Sequence, residues 1–261
     1  MKDQFVVACI DRPADAPSVL AWARHFAERL NHKGIIALHV GKERGDDGWL
    51  EALGVPFASL VGDWSTAIGG LPTAFKGILA VAPHDPTAPR TALAHPATLL
   101  RHFRQCRIAY LCVPTGAPPV VDTSRACLTL THQREGKEKL VWASYLFRLL
   151  GSRITIATPD YRDQGLRSRL QNNLRFADKV LPEREGGRTK YEVAALRATT
   201  RVDLAAAGEQ GGLLIAMTTD PREQDLIDHL LPRQERLLLK RFPRLPVLFL
   251  NPRDDLYILC D

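Results

Sequence analysis

Asp11 closes an apolar run at residues 5–10 and is followed at once by Arg12 and Pro13. A carboxylate at the end of a buried strand is placed to grip a ribose or an adenine, and a neighbouring guanidinium is placed to clamp a phosphate. Three other apolar runs end in polar clusters of the same kind: Pro83-His84-Asp85, Thr131-His132-Gln133 and Thr218-Thr219-Asp220. His84 and His132 carry the side chain that titrates near neutral pH, so each is a candidate general base. A base also needs a partner and a substrate within hydrogen-bond reach, and the sequence supplies neither. Gly-x-Ser-x-Gly, Walker A, Gly-x-Gly-x-x-Gly and His-Glu-x-x-His motifs are all absent. His25, His32, His39, His95, His102 and His229 are expected on helix faces or in loops. The clusters therefore read as polar linings of strand-end mouths, without catalysis.

Cys9, Cys106, Cys112, Cys127 and Cys260 include no Cys-x-x-Cys pair. Three of them, Cys9, Cys112 and Cys127, lie inside apolar runs and read as small core hydrophobes of a reducing compartment. No ligands converge at metal-binding spacing, so no metal is expected. The net charge of +6 invites a nucleic-acid reading, but acids are interleaved with most of the arginines. The densest basic stretch, YRDQGLRSRLQNNLRF at 161–176, carries Leu166, Leu170 and Leu174 at helical spacing. It predicts an amphipathic helix with a solvated arginine face, and no nucleic acid is expected. No apolar run approaches the ~18 residues needed to span a bilayer. Six apolar residues before Asp11 are too few for a signal-peptide core. A cytoplasmic protein without membrane insertion is expected.

The elements that must position these clusters come twice. Leu20-Ala21-Trp22-Ala23 lines up with Leu140-Val141-Trp142-Ala143 at an offset of 120, and Ile35-Ile36-Ala37 meets Ile154-Thr155-Ile156 after one deletion. LLRHFRQCRIAYLCVP at 99–114 parallels LLLKRFPRLPVLFLNP at 237–252. Strands are predicted at 5–10, 35–40, 57–61, 78–82 and 108–113, and again at 126–131, 154–157, 191–196, 213–217 and 247–250. The first helix should run from 17 to 30, with Val19, Leu20, Trp22, Ala23, Phe26 and Leu30 inward. Near-continuous apolar strands alternating with helices predict an α/β fold with a parallel sheet covered on both faces. Domains are expected at 1–116 and 117–261, joined through the Pro- and Gly-rich stretch at 114–124. The first copy is shortened between its second and third strands, with room for about two helical turns. At the other end, Leu256, Tyr257, Ile258 and Leu259 must dock on their own domain or on a partner.

A first strand ending in Asp11, a helix centred on Ala21-Trp22-Ala23, a second strand ending Leu38-His39-Val40 and a last strand ending at Pro114 resemble the universal stress protein family. The whole chain is similar to a tandem pair of such domains. The resemblance implies a five-stranded parallel sheet in order 3-2-1-4-5 in each domain, with the two domains pairing within one chain. Family members also dimerise, often through their last strands. It places ligand mouths outside strands 1 and 4: Asp11, Arg12, His84 and Asp85, with Val40 on the adenine side, and Thr131, His132, Thr218, Thr219 and Asp220 in the second copy. ATP-binding members carry a glycine-rich signature after strand 4. This sequence has no glycine between Val81 and Leu100, nor between Ala216 and Leu238. No ATP or other cofactor is therefore expected. In the second copy Thr131 stands where Asp11 would, and Pro159 faces the place of Val40.

Asp85 and Asp220 each precede a proline at an expected helix start, as an N-cap before a proline at the first helical position. Each carboxylate either stands where a phosphate would and repels it, or simply caps its helix. The leading functional expectation is a non-catalytic stress protein that works through a protein partner or as a homodimer. One alternative is a sensor of a nucleoside-like ligand through Asp11 and Val40, with Arg12 or Arg90 as phosphate clamp. Another is a soluble regulatory subunit of a cation/proton antiporter.

Overall fold

The run FVVAC forms β1 (Phe5–Cys9), almost wholly buried, as its β-branched and small apolar residues require of an inner strand. Asp11 and Arg12 follow, then a 3-10 turn at Pro13–Asp15 that leads into α1 (Ala16–Arg29). Proline at the first position of the turn suits a segment whose N–H has no partner to lose. Val19, Leu20, Trp22, Ala23 and Phe26 form the buried face of α1 as predicted, each large side chain contributing about 1.5–3 kcal/mol. Leu30 lies outside the described residues. The computed structural model describes residues 4–29, 34–43, 48–104, 106–116, 121–133, 136–181, 191–198, 201–210, 212–218 and 234–251.

The chain then gives β2 (Gly34–Gly41), α2 (Gly48–Glu51), β3 (Phe57–Val61), α3 (Trp64–Gly69), α4 (Leu71–Ala74), β4 (Gly77–His84), α5 (Pro96–Phe103) and β5 (Ala109–Pro114). The second copy gives β6 (Arg125–Thr129), α6 (Gly136–Leu150), β7 (Arg153–Pro159), α7 (Gln164–Val180), β8 (Tyr191–Leu196), α8 (Val202–Glu209), β9 (Leu213–Met217), α9 (Gln234–Arg241) and β10 (Val247–Leu250). All ten predicted strands form. On α7, Leu170, Asn173 and Ala177 are buried while Arg167, Arg169 and Arg175 face solvent, so the arginine-rich stretch is an amphipathic helix.

Two compact units result, and they do not follow the sequence repeat. One comprises Met1–Val121 with Thr218–Asp261; the other is Asp122–Met217. The first break falls within the expected linker. The second falls inside the second copy, because β10 pairs with β5. In the first unit the strand order is β3-β2-β1-β4-β5-β10, parallel except for the last pair. The first five strands thus have the 3-2-1-4-5 order. β10 runs antiparallel to β5, with Val247 opposite Cys112, Leu248 opposite Leu111 and Phe249 opposite Tyr110. Tyr110 stacks on Phe249 at 5.5 Å between ring centroids and meets Phe103 at a tilt, at 4.8 Å. In the second unit β9-β6-β7-β8 form a parallel set.

The shortened layer of the first copy has a visible consequence. Among the described residues, the helix between β2 and β3 covers only Gly48–Glu51. The edge strand β3 consequently leaves Phe57 39%, Leu60 36% and Val61 58% exposed.

Candidate functional site

The first mouth lies outside the carboxyl ends of β1 and β4, where ligands enter such sheets. Asp11 is there, but its Oδ2 accepts the Leu93 main-chain N–H at 3.0 Å. Arg12 turns back on its own element: Nε and a terminal nitrogen donate to the two Asp15 oxygens at 3.0 and 2.9 Å. Asp15 is buried. The Asp15 hydrogen bond raises the Arg12 pKa against the pull of burial, and the charges of Asp15, Asp11 and Asp85 add to it. Val40 is buried in β2, next to His39, whose Nδ1 bonds the Ile10 carbonyl at 2.9 Å.

Asp85 does not cap a helix. Its Oδ1 accepts from the Thr87 N–H at 2.8 Å and the Thr87 hydroxyl at 2.6 Å, closing an Asx turn over Pro86. Burial would raise this carboxyl, but the Thr87 bonds, with the charges of Arg12 and His84, outweigh it and hold the pKa below 3.8. The helix starts at Pro96, and His95 is its cap, Nδ1 accepting from the Ala97 N–H at 3.2 Å. The expectation had the right motif on the wrong proline: an acid before proline serves a turn as well as a helix, and the local bonds to Thr87 decide between them.

The loop between Asp85 and His95 fills its own interior. Ala88, Ala92, Leu93 and Ala94 are buried. The N–H groups of Asp85, Thr87, Ala88, Ala92, Leu93 and His95 all find acceptors within the chain. Thr98 holds the loop from below by donating its hydroxyl to the Arg90 carbonyl. A phosphate cradle needs such N–H groups free and convergent, and here they are engaged. Burial, with the charges of Arg236, Arg90 and Lys240, holds His95 below its ordinary pKa.

His84 is no base for this mouth. It is fully buried, with Nε2 3.3 Å from the Leu245 carbonyl and Nδ1 without a partner. Nε2 must then carry the proton. Burial pulls the imidazole down to about 4, so it is neutral at neutral pH.

The Thr131-His132-Gln133 mouth is likewise occupied by its own side chains. Asn173 of α7 donates to the carbonyls of Thr131 and Gln133, both at 2.9 Å. His132 Nδ1 lies 2.9 Å from the Tyr161 hydroxyl, the rings edge to face. Burial raises the Tyr161 pKa, and a hydrogen bond from the His132 main-chain N–H opposes the rise. Thr218 falls in the other unit. Its hydroxyl donates to Asn251 Oδ1 at 2.6 Å, while Asn251 Nδ2 donates to the carbonyls of Phe103 and Cys106. Thr219 and Asp220 lie outside the described residues, as does the tail after Asn251.

Two polar clusters escape sequence reasoning. Ser65 Oγ and an Asp63 oxygen both approach His102 Nδ1, at 2.8 and 3.7 Å. A nucleophile–base–acid relay needs serine and carboxylate on opposite ring nitrogens. Here they share one, and Arg101 approaches Nε2 at 3.4 Å, so the geometry does not build that relay. The second cluster, Lys139-Thr129-Asp203, is buried at the end of β6. Neither has a local spacing pattern: their members come from different elements. Among the described residues no group of three His, Cys, Asp or Glu side chains could hold a metal ion, and no helix is long and apolar enough to cross a membrane.

No protein-family model matches the chain, and no curated protein matches it by sequence. Solved structures do match. A functionally unknown protein from Pseudomonas aeruginosa PAO1 shares 17% identity over 98% of this chain and 95% of its own, with a TM-score of 0.64. A universal stress protein from Archaeoglobus fulgidus DSM 4304 shares 11% identity over 96% of this chain and 97% of its own, with a TM-score of 0.63. The cytoplasmic domain of a prokaryotic cation chloride cotransporter shares 13% identity over 95% of each chain, with a TM-score of 0.58. At these identities the likeness is one of fold.

Proposed function

We propose that this chain, which has the fold of tandem-domain universal stress proteins, is a non-catalytic cytoplasmic stress protein that acts through a protein partner or a second copy and does not turn over ATP. One observation carries the reading: Asp11, which would grip a nucleoside, holds the Leu93 N–H, which would hold a phosphate. Ligand-side acceptor and ligand-side donor satisfy each other. The internal pairs Arg12–Asp15, Asp85–Thr87 and His132–Tyr161 support the same conclusion.

Thermal unfolding against ATP, ADP, AMP, cyclic nucleotides and adenosine tests it. A ligand at a hundred times its Kd adds about 2.7 kcal/mol, worth about 2–4 °C for a protein of this size. No shift is expected. A shift present in the native sequence and lost in Asp11→Ala would overturn the reading and make the chain a nucleoside sensor using its first mouth.

The likeness to a cotransporter cytoplasmic domain favours a second reading, a regulatory subunit for an ion transporter. The cation/proton antiporter is one such transporter. Co-purification of a transporter from membranes with the tagged chain distinguishes it from a partner outside the membrane.

A further inference from the structure

Thr129, the last residue of β6, is fully buried, and its hydroxyl joins two buried charges. Lys139, in the first turn of α6, is 5% exposed and brings Nζ to 2.8 Å from Thr129 Oγ1. An ammonium only donates, so the threonine oxygen accepts from it and gives its own proton onward. The receiver is Asp203 Oδ1, in the first turn of α8 and 4% exposed. Residues from three elements therefore meet at the carboxyl end of an inner strand, where sheets of this class take ligands.

Neither charge is tolerable alone at such burial. Burial pulls the Lys139 pKa down and the Asp203 carboxylate pushes it back. The pair also explains how α8 is held. That helix has eight residues and buries only Val202, Asp203, Ala206 and Ala207, so little apolar volume anchors it. Its N-cap, Arg201, adopts φ 51°, ψ 43° with no side-chain cap bond. A non-glycine residue in that region stores strain that the rest of the helix must offset. Asp203 is the buried polar contact of its first turn.

We propose that Lys139 and Thr129 form an oxyanion seat which α8 fills with its own Asp203 carboxylate, and that a phosphate-type oxyanion competing for this seat releases α8. The seat is independent of the Asp11 mouth, which lies in the other unit.

Hydrogen exchange on the full chain, in inorganic phosphate against sodium chloride of equal ionic strength, tests this. Phosphate should lower protection of the α8 amides several-fold and saturably, leaving α1 unchanged, while Asp203→Asn should start with α8 protection already reduced about tenfold. Lys139→Met should abolish the phosphate response. If that variant does not fold, Thr129→Val, which removes the hydroxyl and keeps the shape, should abolish it instead. An α8 indifferent to phosphate in the native sequence overturns the proposal. So does a response that survives in the folded variant.

Discussion

Leu93 donates its main-chain N–H to Asp11 Oδ2 at 3.0 Å, tying the loop after β4 to the end of β1 across 82 residues of sequence. A hydrogen bond to a charged group contributes about 1.5–3 kcal/mol. Asp11→Ala should therefore destabilise the first unit by about that much in urea unfolding. Asp11→Asn keeps an acceptor oxygen and should recover roughly half of the loss. Equal losses in the two variants would show that the negative charge, and not the bond to Leu93, is what matters.

His84 sets an acid limit on stability. Its folded pKa is about 4, against 6.5 for the free side chain. As pH falls below 6.5 the unfolded chain takes a proton that the buried imidazole refuses, so stability is lost on the way down. The loss proceeds at about 1.4 kcal/mol per pH unit and levels off once the folded form protonates. His84→Gln keeps a donor for Leu245 and does not titrate. Between pH 6 and 4.5 its unfolding free energy should fall less steeply than the native protein's by about one proton. Parallel curves would mean that His84 is open to solvent in solution.

How much of this was legible in the sequence differs between backbone and site. Strands such as FASLV and LLIAM announce themselves by β-branched and apolar runs, and β3, β8, β9 and β10 begin and end where the sequence placed them. The repeat was legible as well. The compact units were not, because β10 lies beside β5 through antiparallel pairing, and no local pattern in VLFL specifies a partner 135 residues away. Asp11, Asp85, His132 and Thr218 do stand at strand ends, but each turns to a neighbour: Leu93, Thr87, Tyr161 and Asn251. Sequence shows that a side chain can bond; it does not show whether the chain has already supplied the partner.

Gly212 should tolerate no side chain. It has φ +75°, and a Cβ there would meet the Arg125 carbonyl oxygen at 2.7 Å, a backbone atom that cannot swing away. That approach seats β9 beside β6, where Ala126 faces Leu213. Gly212→Ala adds left-handed strain to the clash and should cost about 2 kcal/mol or more. Urea unfolding of the second unit, followed by hydrogen exchange in β9, checks it. A loss below about 0.5 kcal/mol, the range of ordinary surface substitutions, would mean that β9 does not sit this close to β6.

Asn251 provides the sharpest test of the β5–β10 pairing. One amide serves three partners: Nδ2 donates to the carbonyls of Phe103 and Cys106 at 2.8 and 2.9 Å, and Oδ1 accepts the Thr218 hydroxyl at 2.6 Å. The Phe103 carbonyl closes α5, where helix carbonyls run out of partners. Asn251→Ala removes the amide donor from both carbonyls, leaving that of Phe103 with the Cys106 main-chain N–H at 3.0 Å, and should cost about 1–3 kcal/mol. Asn251→Asp keeps the size and the acceptor for Thr218, but puts a negative charge against two carbonyl oxygens. It should therefore be at least as damaging as alanine, whereas Thr218→Val, which removes one donor alone, should cost about 1 kcal/mol. If Asn251→Asp is milder than Asn251→Ala, the amide is not donating to Phe103 and Cys106. The end of β10 must then be held beside β5 without that amide, through contacts such as the ladder and the Tyr110–Phe249 stack.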